Sequence, residues 1–312
     1  MKFQKIIITF FLLIFVLNVG AQQKDNVYLF SYFVGNGEDG LHLAFSYDGL
    51  KWEALNDNNS FLTPEVGGDK LMRDPCIISG SDGKFHMVWT VSWKEKNIGY
   101  AVSDDLIHWS KQKNIPVMEH EPEARNCWAP EVFYDESSKQ YLIFWSTTIP
   151  GRFPKTEKSG DNGNNHRMYY VTTKDFTIFS ETKLFYDQGF NVIDGTLINE
   201  NDKYVLFLKD ETRYPPEKNI RIATSNELTQ NYSKPTEAIT GEYWAEGPTP
   251  VKIGDYWNVY FDKYQKHKMG AVRSSDLINW EDISDQIKFP EGTRHGTVFQ
   301  VSQAVLNNLK DL

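Results

Sequence analysis

The sequence predicts an all-β fold, a five-bladed β-propeller with four-stranded blades whose ring is closed by pairing of the N- and C-terminal strands. Three observations lead to this prediction. A seven-residue phrase recurs five times along the 312 residues, each copy accompanies a succession of short segments rich in Tyr, Phe, Val and Ile, and no strong amphipathic helix interrupts them. A repeat of about 50 residues that holds four strands is typical of one propeller blade.

The recurring phrase is clearest in SDDLIHW, residues 103–109, and in SSDLINW, residues 274–280. Weaker copies are SYDGLKW at 46–52, TKDFTIF at 173–179 and SNELTQN at 225–231. The acidic third residues of the copies are Asp48, Asp105, Asp175, Glu227 and Asp276, at successive spacings of 57, 70, 52 and 49 residues. These spacings predict five units of similar size.

The strands of each unit follow from its apolar runs and turn residues. In the second unit they are CIISG, KFHMVWTVSW, NIGYAVS and HWSKQ. The first unit offers only VYLFSYF (27–33), LHLAFSY (41–47) and KWEAL (51–55). We expect its missing innermost strand to be RHGTVFQVS, residues 294–302, from the other end of the chain. Such pairing removes the exposed edges that an open sheet would leave.

The composition excludes some classes of function. The net charge is -9, from 33 basic and 42 acidic residues, with no basic run, which disfavours nucleic-acid binding. Aromatic residues make up 14% of the chain, a density that suits either a β-rich core or a sugar-binding surface. The two cysteines, Cys76 and Cys127, lie in no metal or redox spacing and are interpreted as small buried hydrophobic residues.

The first segment has the layout of a secretory signal peptide. Lys2 and Lys5 precede an apolar run, and small residues end the segment at residue 21. A membrane anchor is the alternative, but the run is shorter than the roughly 20 residues that a spanning helix needs. The predicted domains are therefore a cleavable signal at 1–21 and a single propeller domain at 22–312. We expect a periplasmic or secreted monomer that is not inserted in a membrane.

Five strand starts are predicted to meet at one opening. The innermost strands of all blades begin on the same face of a propeller disc, so whatever lies at their starts surrounds the central funnel. The residues at these positions are Asp74, Trp128 with Glu131, Asp194, Glu246 and His295. Each acid alone also fits a turn, since Asp before Pro or Gly and Glu before Gly are common in bends. Their coincidence at equivalent repeat positions favours a catalytic site.

At these residues the chain resembles glycoside hydrolase family 43, five-bladed propeller glycosidases that include arabinofuranosidases, xylosidases and galactosidases. The likeness covers about residues 27–303. It implies that Asp74 in RDP is the general base, Asp194 in VIDGT the pKa-modulating acid and Glu246 in EGP the general acid. The WAPEV stretch at 128–132 resembles the family's WAP segment, and His295 would approach a water or cation on the axis.

This resemblance implies hydrolysis of a glycosidic bond with inversion. One carboxylic acid protonates the leaving oxygen while a carboxylate about 6.5–9.5 Å away activates water on the opposite face of the sugar. We expect Asp194 to favour the protonated form of Glu246 by like-charge repulsion and to orient it by hydrogen bonding. Either Arg73 or solvent is expected to keep Asp74 ionised.

Other residues are predicted to line the pocket. The loop at 147–167 is either a wall of the site or a solvated insertion. Three Trp residues near the ends of second strands would either stack on a sugar or pack in the core, and Lys209 and Glu211 lie in a polar cluster, LKDETR, that could reach the site. The predicted substrate-binding residues are Arg73, Trp89, Trp93, Trp128, Glu131, Trp145, Asp210, Arg213 and His295.

Several alternatives stay open on the sequence alone. A fructan or sucrose hydrolase of a related propeller family, a carbohydrate-binding propeller without catalysis and a periplasmic scaffold are rival interpretations. The expected substrate is a plant-type oligosaccharide or polysaccharide that carries terminal arabinofuranose, xylose or galactose, and no nucleic acid partner is expected. No cofactor is expected to be required, and a structural calcium ion on the axis near His295 is left open.

Overall fold

The computed structural model describes residues 26–312, which form five antiparallel sheets arranged as the blades of a propeller. The predicted signal segment, residues 1–21, lies outside the described residues. No helix among residues 26–312 is long and apolar enough to span a bilayer.

Each blade begins with the strand nearest the axis and ends at the rim. The first blade consists of β19 (Thr297–Ser302), β1 (Asn26–Tyr32), β2 (His42–Ser46) and β3 (Glu53–Ala54). The second consists of β4 (Arg73–Ser79), β5 (Phe85–Thr90), β6 (Ile98–Ser103) and β7 (Lys113–Ile115). The third consists of β8 (Trp128–Asp135), β9 (Gln140–Thr148), β10 (His166–Thr173) and β11 (Lys183–Tyr186). The fourth consists of β12 (Val192–Glu200), β13 (Lys203–Asp210) and β14 (Asn219–Ser225). The fifth consists of β15 (Glu246–Ile253), β16 (Tyr256–Lys263), β17 (Lys268–Ser274) and β18 (Glu281–Asp282).

The two ends of the described chain close the ring. Strand β1 pairs with β19 in antiparallel register from Asn26 opposite Ser302 to Ser31 opposite Thr297. The predicted closure by the N- and C-terminal strands is therefore confirmed. Because β1 is hydrogen-bonded on one side to β19 and on the other to β2, the closure ties the two ends of the described chain into one blade.

The recurring phrase forms the turn between the third and fourth strands of a blade. In the second blade, Asp105 Oδ1 accepts hydrogen bonds from the backbone N–H groups of Ile107 and His108 at 2.9 and 2.7 Å. Asp48, Asp175 and Asp276 make the same pair of contacts in their blades. The acidic residue therefore recurs because it fixes a turn of the backbone.

The fourth blade departs from the predicted four strands. Its phrase carries Glu227, whose longer side chain accepts hydrogen bonds from the side chains of Gln230 and Asn231 instead of from the turn backbone. The following segment still runs beside β14, with the N–H groups of Ser233, Thr236 and Ile239 donating to that strand. Pro235 interrupts this segment and cannot donate to a ladder. The outer edge of the blade is therefore irregular.

Five apolar clusters fill the spaces between neighbouring blades. A short helix α1 (Gln303–Lys310), which the sequence analysis did not predict, follows the last strand. Ser302 caps it by accepting from the Val305 N–H, and Leu306 and Leu309 are buried in the cluster between the first two blades. Cys76 and Cys127 are both buried and unbridged, as expected.

Candidate active site

A β-bulge near the start of the innermost strand shapes four of the five blades. The register with the second strand shifts between residues 73 and 76, 128 and 131, 193 and 196, and 246 and 249. A residue with positive φ lies inside each bulge, and these are Asp74 (52°), Ala129 (47°), Asp194 (54°) and Gly247 (61°). Asp tolerates this conformation better than most residues other than Gly. Since a bulge redirects a side chain, the bulges explain why the side chains of Asp74 and Asp194 lie at the mouth of the ring.

A pocket of about 230 Å³ opens at these strand starts. All three predicted catalytic acids line it, and so do four of the predicted substrate-binding residues. Its acidic residues are Asp74, Asp194, Glu211 and Glu246. Its basic residues are Arg73, Lys209, Arg294 and His295. Thr90, Trp93, Trp128 and Ile193 complete the lining.

Asp74 is held as a carboxylate. Its Oδ1 lies 3.2 Å from His295 Nδ1, and its Oδ2 accepts a 2.8 Å hydrogen bond from the Thr90 hydroxyl. The same hydroxyl accepts from the N–H of Ala129, so it joins Asp74 to the bulge of the next blade. Burial alone would raise the pKa of Asp74, but the charge of His295, with a smaller contribution from Arg73, lowers it to about 2. His295, rather than Arg73 or solvent, is therefore the principal partner.

Asp194 has a different electrostatic environment. Its Oδ2 accepts a 3.1 Å hydrogen bond from the backbone N–H of Gly247, next to Glu246. Burial raises the pKa of Asp194 to about 6, against the opposing charges of His295 and Lys209. The predicted hydrogen bond to the Glu246 side chain is thus replaced by one to the backbone of the neighbouring residue. Asp194 fixes the bulge that carries Glu246.

Glu246 lies between two basic side chains. Its Oε2 is 3.0 Å from Lys209 Nζ, and its Oε1 is 3.4 Å from Arg294 Nη2. Arg294 is itself anchored by Asp262, whose Oδ2 is 2.5 Å from Arg294 Nε. These contacts fix both oxygens of Glu246 and add positive charge beside it, which the sequence analysis did not foresee.

One wall of the pocket is aromatic. The rings of Trp93 and Trp128 meet edge to face at a centroid distance of 5.4 Å, and Trp128 Nε1 donates to the Trp93 carbonyl at 3.2 Å. The guanidinium carbon of Arg73 lies 4.3 Å from the Trp93 ring centroid. Trp93 is 41% exposed. This pair therefore offers the flat apolar surface on which a sugar ring can stack.

A series of ion pairs stabilises the wall of the pocket opposite the two Trp rings. Lys209 Nζ lies 2.6 Å from Glu211 Oε2, and Lys218 Nζ lies 2.5 Å from Glu211 Oε1. Lys218 also contacts Asp161 at 2.9 Å. Asp161 belongs to the long loop between β9 and β10, none of whose residues lines the pocket. The loop therefore does not form a wall of the pocket. It is not a free solvated insertion either, because its Asp161 contacts Lys218, which pairs with Glu211 of the pocket.

Three predicted substrate-binding residues are buried away from the pocket. Trp89 and Trp145 are 0% and 1% exposed and pack in the apolar clusters between blades, so they fulfil the core alternative and cannot stack on a sugar. Glu131 lies further along the axis, where its carboxylate contacts the Cys76 thiol and the Thr297 hydroxyl, both at 3.2 Å. It lines a separate cavity of about 450 Å³ between the innermost strands.

Asp210 and Arg213 also lie outside the pocket lining. Successive side chains of a strand point to opposite faces, so the placement of Lys209 in the pocket turns Asp210 away, toward the guanidinium of Arg221 at 3.5 Å. Arg213 lies beside the long loop, 3.4 Å from Asp161, and stacks on Trp244.

The pocket contains residues that the sequence analysis did not identify as site residues. Thr90, Ile193 and Arg294 were not considered, and Lys209 and Glu211 were only named within a polar cluster. Arg294 directly precedes His295, and Ile193 directly precedes Asp194, as Arg73 precedes Asp74. For Arg294 and Ile193, the available signal was therefore their position directly before a predicted site residue.

No group of three or more His, Cys, Asp and Glu side chains among residues 26–312 is arranged to hold a metal ion. Burial would lower the pKa of His295, but Asp74 raises it to about 9, so the ring is protonated at neutral pH and has no free lone pair. The surroundings of His295 therefore do not fit a calcium site that uses this ring, and a calcium ion elsewhere on the axis stays a prediction.

The fold and the pocket define a five-bladed propeller with an acid-lined axial site, the architecture of a class of glycosidases. The chain belongs to the family described as "Probable glycosyl hydrolase domain", related to glycoside hydrolase family 43, whose model matches residues 24–307. An α-L-arabinofuranosidase of Bifidobacterium longum subsp. longum is 25% identical over 190 residues, which cover 53% of this chain. The match spans only 17% of that relative's length.

Solved structures share the fold. The α-L-arabinofuranosidase of Lactobacillus brevis superposes with a TM-score of 0.52 at 18% identity, covering 68% of this chain and 72% of its own. An exo-β-1,3-galactanase of Phanerochaete chrysosporium superposes with a TM-score of 0.52 at 14% identity, covering 67% and 49% of the two chains. An exo-1,5-α-L-arabinanase from a bovine ruminal metagenomic library gives 0.50 at 17% identity, covering 74% and 78%.

Proposed function

We propose that this protein is a secreted glycoside hydrolase that removes terminal sugars from plant-type oligosaccharides or polysaccharides with inversion at the anomeric carbon. The observation that carries the proposal is the convergence of Asp74, Asp194 and Glu246 in one small pocket. Family membership supports glycosidase chemistry, the names of two relatives favour arabinofuranose or galactose as the sugar, and xylose is kept from the family resemblance.

In this proposal Asp74 is the general base. Its ionised carboxylate, with a pKa lowered to about 2 chiefly by the His295 charge against the effect of burial, is ready to accept a proton from water. Glu246 is the general acid that protonates the leaving oxygen. Asp194 acts on Glu246 through Gly247, and Lys209 and Arg294 hold the two Glu246 oxygens in place. The acid and base roles thus fall on different blades on either side of the pocket.

The dimensions of the pocket favour a single sugar unit. Its volume of about 230 Å³ lies below the roughly 300–1,000 Å³ typical of pockets for drug-sized ligands. A site of this size fits the end of a chain better than its middle. We therefore assign an exo mode of action.

The test is a screen of 4-nitrophenyl α-L-arabinofuranoside, β-D-xyloside and β-D-galactoside, with proton NMR of the first product formed. We expect at least one substrate to be cleaved and the released sugar to appear first in the opposite anomeric configuration. First release of the same anomer would contradict the inverting mechanism. Absence of cleavage of these substrates and of a panel of plant oligosaccharides would contradict the hydrolase.

A further inference from the structure

Arg73 is a basic residue of the pocket that forms no ion pair with a carboxylate of the described residues. Six of the eight arginines of the chain form ion pairs, and these are Arg152, Arg167, Arg213, Arg221, Arg273 and Arg294. Arg125 and Arg73 do not. Arg125 donates to the Gly163 carbonyl outside the pocket, whereas Arg73 lines the pocket beside Asp74.

The guanidinium of Arg73 is nonetheless firmly seated. It lies between two aromatic rings, with its central carbon 4.6 Å from the Phe33 centroid and 4.3 Å from the Trp93 centroid. Its Nη1 donates to Asn36 Oδ1 at 3.1 Å. A Cβ atom on Gly37 would lie 3.0 Å from Arg73 Cγ, so the stem is also packed closely. Aromatic faces stabilise a cation without using its hydrogen-bond donors.

The remaining donors of Arg73 have no acceptor among the residues that the structure describes. Nη1 makes both of the hydrogen bonds that the side chain forms within residues 26–312, and Nε and Nη2 make none. A planar guanidinium edge with two free N–H groups is the geometry that binds a carboxylate through two parallel hydrogen bonds.

Arg294 provides an internal comparison. It also precedes a pocket residue and lies near the same Phe33 ring, at 5.6 Å. Its charge, however, is used by Asp262 and Glu246 within the protein. His295 and Asp74 likewise neutralise each other, and Lys209 is shared between Glu211 and Glu246. Among residues 26–312, Arg73 is therefore the pocket cation that forms no ion pair and can offer one to a ligand.

We propose that Arg73 binds the carboxylate of a uronic acid, so that the sugar held in this pocket is acidic. This inference rests on the proposed carbohydrate site and replaces the neutral terminal sugar proposed above with an acidic one. A sulfate ester on a sugar offers related anionic chemistry, but the planar carboxylate matches the fork of a guanidinium more closely. Trp93, which stacks on the Arg73 face, would at the same time contact the apolar side of the sugar ring.

The experiment compares matched sugars by isothermal titration calorimetry. The probes are D-galacturonic acid and D-glucuronic acid, the neutral sugars D-galactose and D-glucose, and D-galactose 6-sulfate. We expect one uronic acid to bind about tenfold to a hundredfold more tightly than its neutral counterpart, the range set by hydrogen bonds to a charged group. We also expect this advantage to shrink as salt is added.

Variants then assign the effect to one side chain. Arg73→Gln should abolish the advantage of the uronic acid while retaining binding of the neutral sugar, and Arg73→Lys should retain part of it. Arg125→Gln, which removes the other arginine without a carboxylate partner, should leave the advantage unchanged. The comparison in the unmodified protein needs no variant, so it decides the proposal even if Arg73→Gln fails to fold.

Equal affinity for uronic and neutral sugars would overturn the proposal. So would a uronic acid advantage that survives in Arg73→Gln, or tighter binding of the sulfated sugar than of both uronic acids. These measurements record binding alone. A protein that binds uronic acids through Arg73 but cleaves no glycoside would contradict the proposed hydrolase and leave this inference standing. Cleavage of neutral aryl glycosides with no preference for uronic acids would support the hydrolase and overturn this inference.

Discussion

His295 Nδ1 lies 3.2 Å from Asp74 Oδ1, and this contact joins the last innermost strand of the ring to the second blade. Both groups are buried, and their charges support each other. Asp74 has a pKa of about 2 and His295 a pKa of about 9, each shifted by the partner against the effect of burial. Between these values the pair is ionised, so the proposed base keeps its charge over the physiological range.

Replacing His295 with Gln should make the proposed base harder to ionise. Without the imidazolium charge, the burial of Asp74 raises its pKa, because desolvation disfavours the carboxylate. We expect the acidic limb of the pH profile of kcat/KM to move to higher pH by at least about one unit. The measurement is kcat/KM on the best aryl glycoside between pH 2 and 8, because the limb of the unmodified protein is expected near the Asp74 pKa of about 2.

The matched control for this prediction is His86→Gln. His86 is also buried, but it contacts Asp82 and Tyr100 and does not line the pocket. Its replacement should leave the acidic limb where it is in the unmodified protein. An unchanged limb in His295→Gln would argue against Asp74 as the titrating base.

Replacing Lys209 with Met should destabilise the fold. Burial alone would lower the pKa of Lys209, but Glu211 and Glu246 raise it, so the side chain is charged and holds two acids at 2.6 and 3.0 Å. Removing one partner of a buried ion pair leaves a buried charge and costs about 3–5 kcal/mol. Urea unfolding at pH 7 measures the difference.

The double variant Lys209→Met with Glu211→Gln should recover part of that loss, because it removes one of the two acids that lose Lys209 as a partner, while Lys218 keeps its contact with Asp161. Lys139→Met, which breaks the exposed pair with Glu136, is the control and should leave the urea midpoint nearly unchanged. A Lys209→Met protein as stable as the unmodified one, or a double variant less stable than the single, would show that the buried network contributes little.

Glu131, which lies on the axis outside the pocket, should make the stability depend on pH. Burial raises the pKa of Glu131 to about 7, against smaller opposing effects of Cys76 and His295. A raised pKa favours the protonated folded state, so its contribution is present below pH 4.5 and is lost as the pH rises through 7. Since one pKa unit corresponds to 1.36 kcal/mol, the loss is at most about 3 kcal/mol.

The variant Glu131→Gln removes this ionisation while keeping an acceptor for Thr297. We expect its Tm to exceed that of the unmodified protein by a few degrees at pH 8 and to match it near pH 5. Glu136→Gln at the exposed pair should show no such pH dependence. A Tm difference for Glu131→Gln that is the same at both pH values would contradict the raised pKa.

Much of the fold could be predicted from the sequence because its turns are local. The third-position acid fixes a turn by hydrogen bonds within three residues, so each copy marks one blade regardless of the rest of the chain. The irregular fourth blade was also marked, since Glu227 replaces Asp in its copy. The sequence could not show that this replacement makes the outer edge of the blade irregular, because that requires knowing that the Asp carboxylate binds the turn backbone.

Site residues whose placement depends on where a strand begins could be predicted from the sequence. Site residues whose placement depends on which face of the strand their side chain points to could not. Asp74, Asp194 and Glu246 followed from the position of strand starts. Trp89 and Asp210 were assigned to the pocket, although their chain neighbours Thr90 and Lys209 occupy it. Which of two neighbouring residues faces the pocket depends on the register with the bulged innermost strand, and apolar patterning does not reveal that register.

The most direct test of the assignment of the acids is the hydrolysis rate of Asp74→Asn and Glu246→Gln on the substrate found by the screen. Asp210→Asn, a buried acid outside the pocket lining, is the matched control. We expect each active-site variant to lose about 10²–10⁴-fold in kcat while a cooperative thermal transition shows that it is still folded, and the control to keep its rate. Wild-type turnover in either active-site variant would contradict the roles assigned to Asp74 and Glu246.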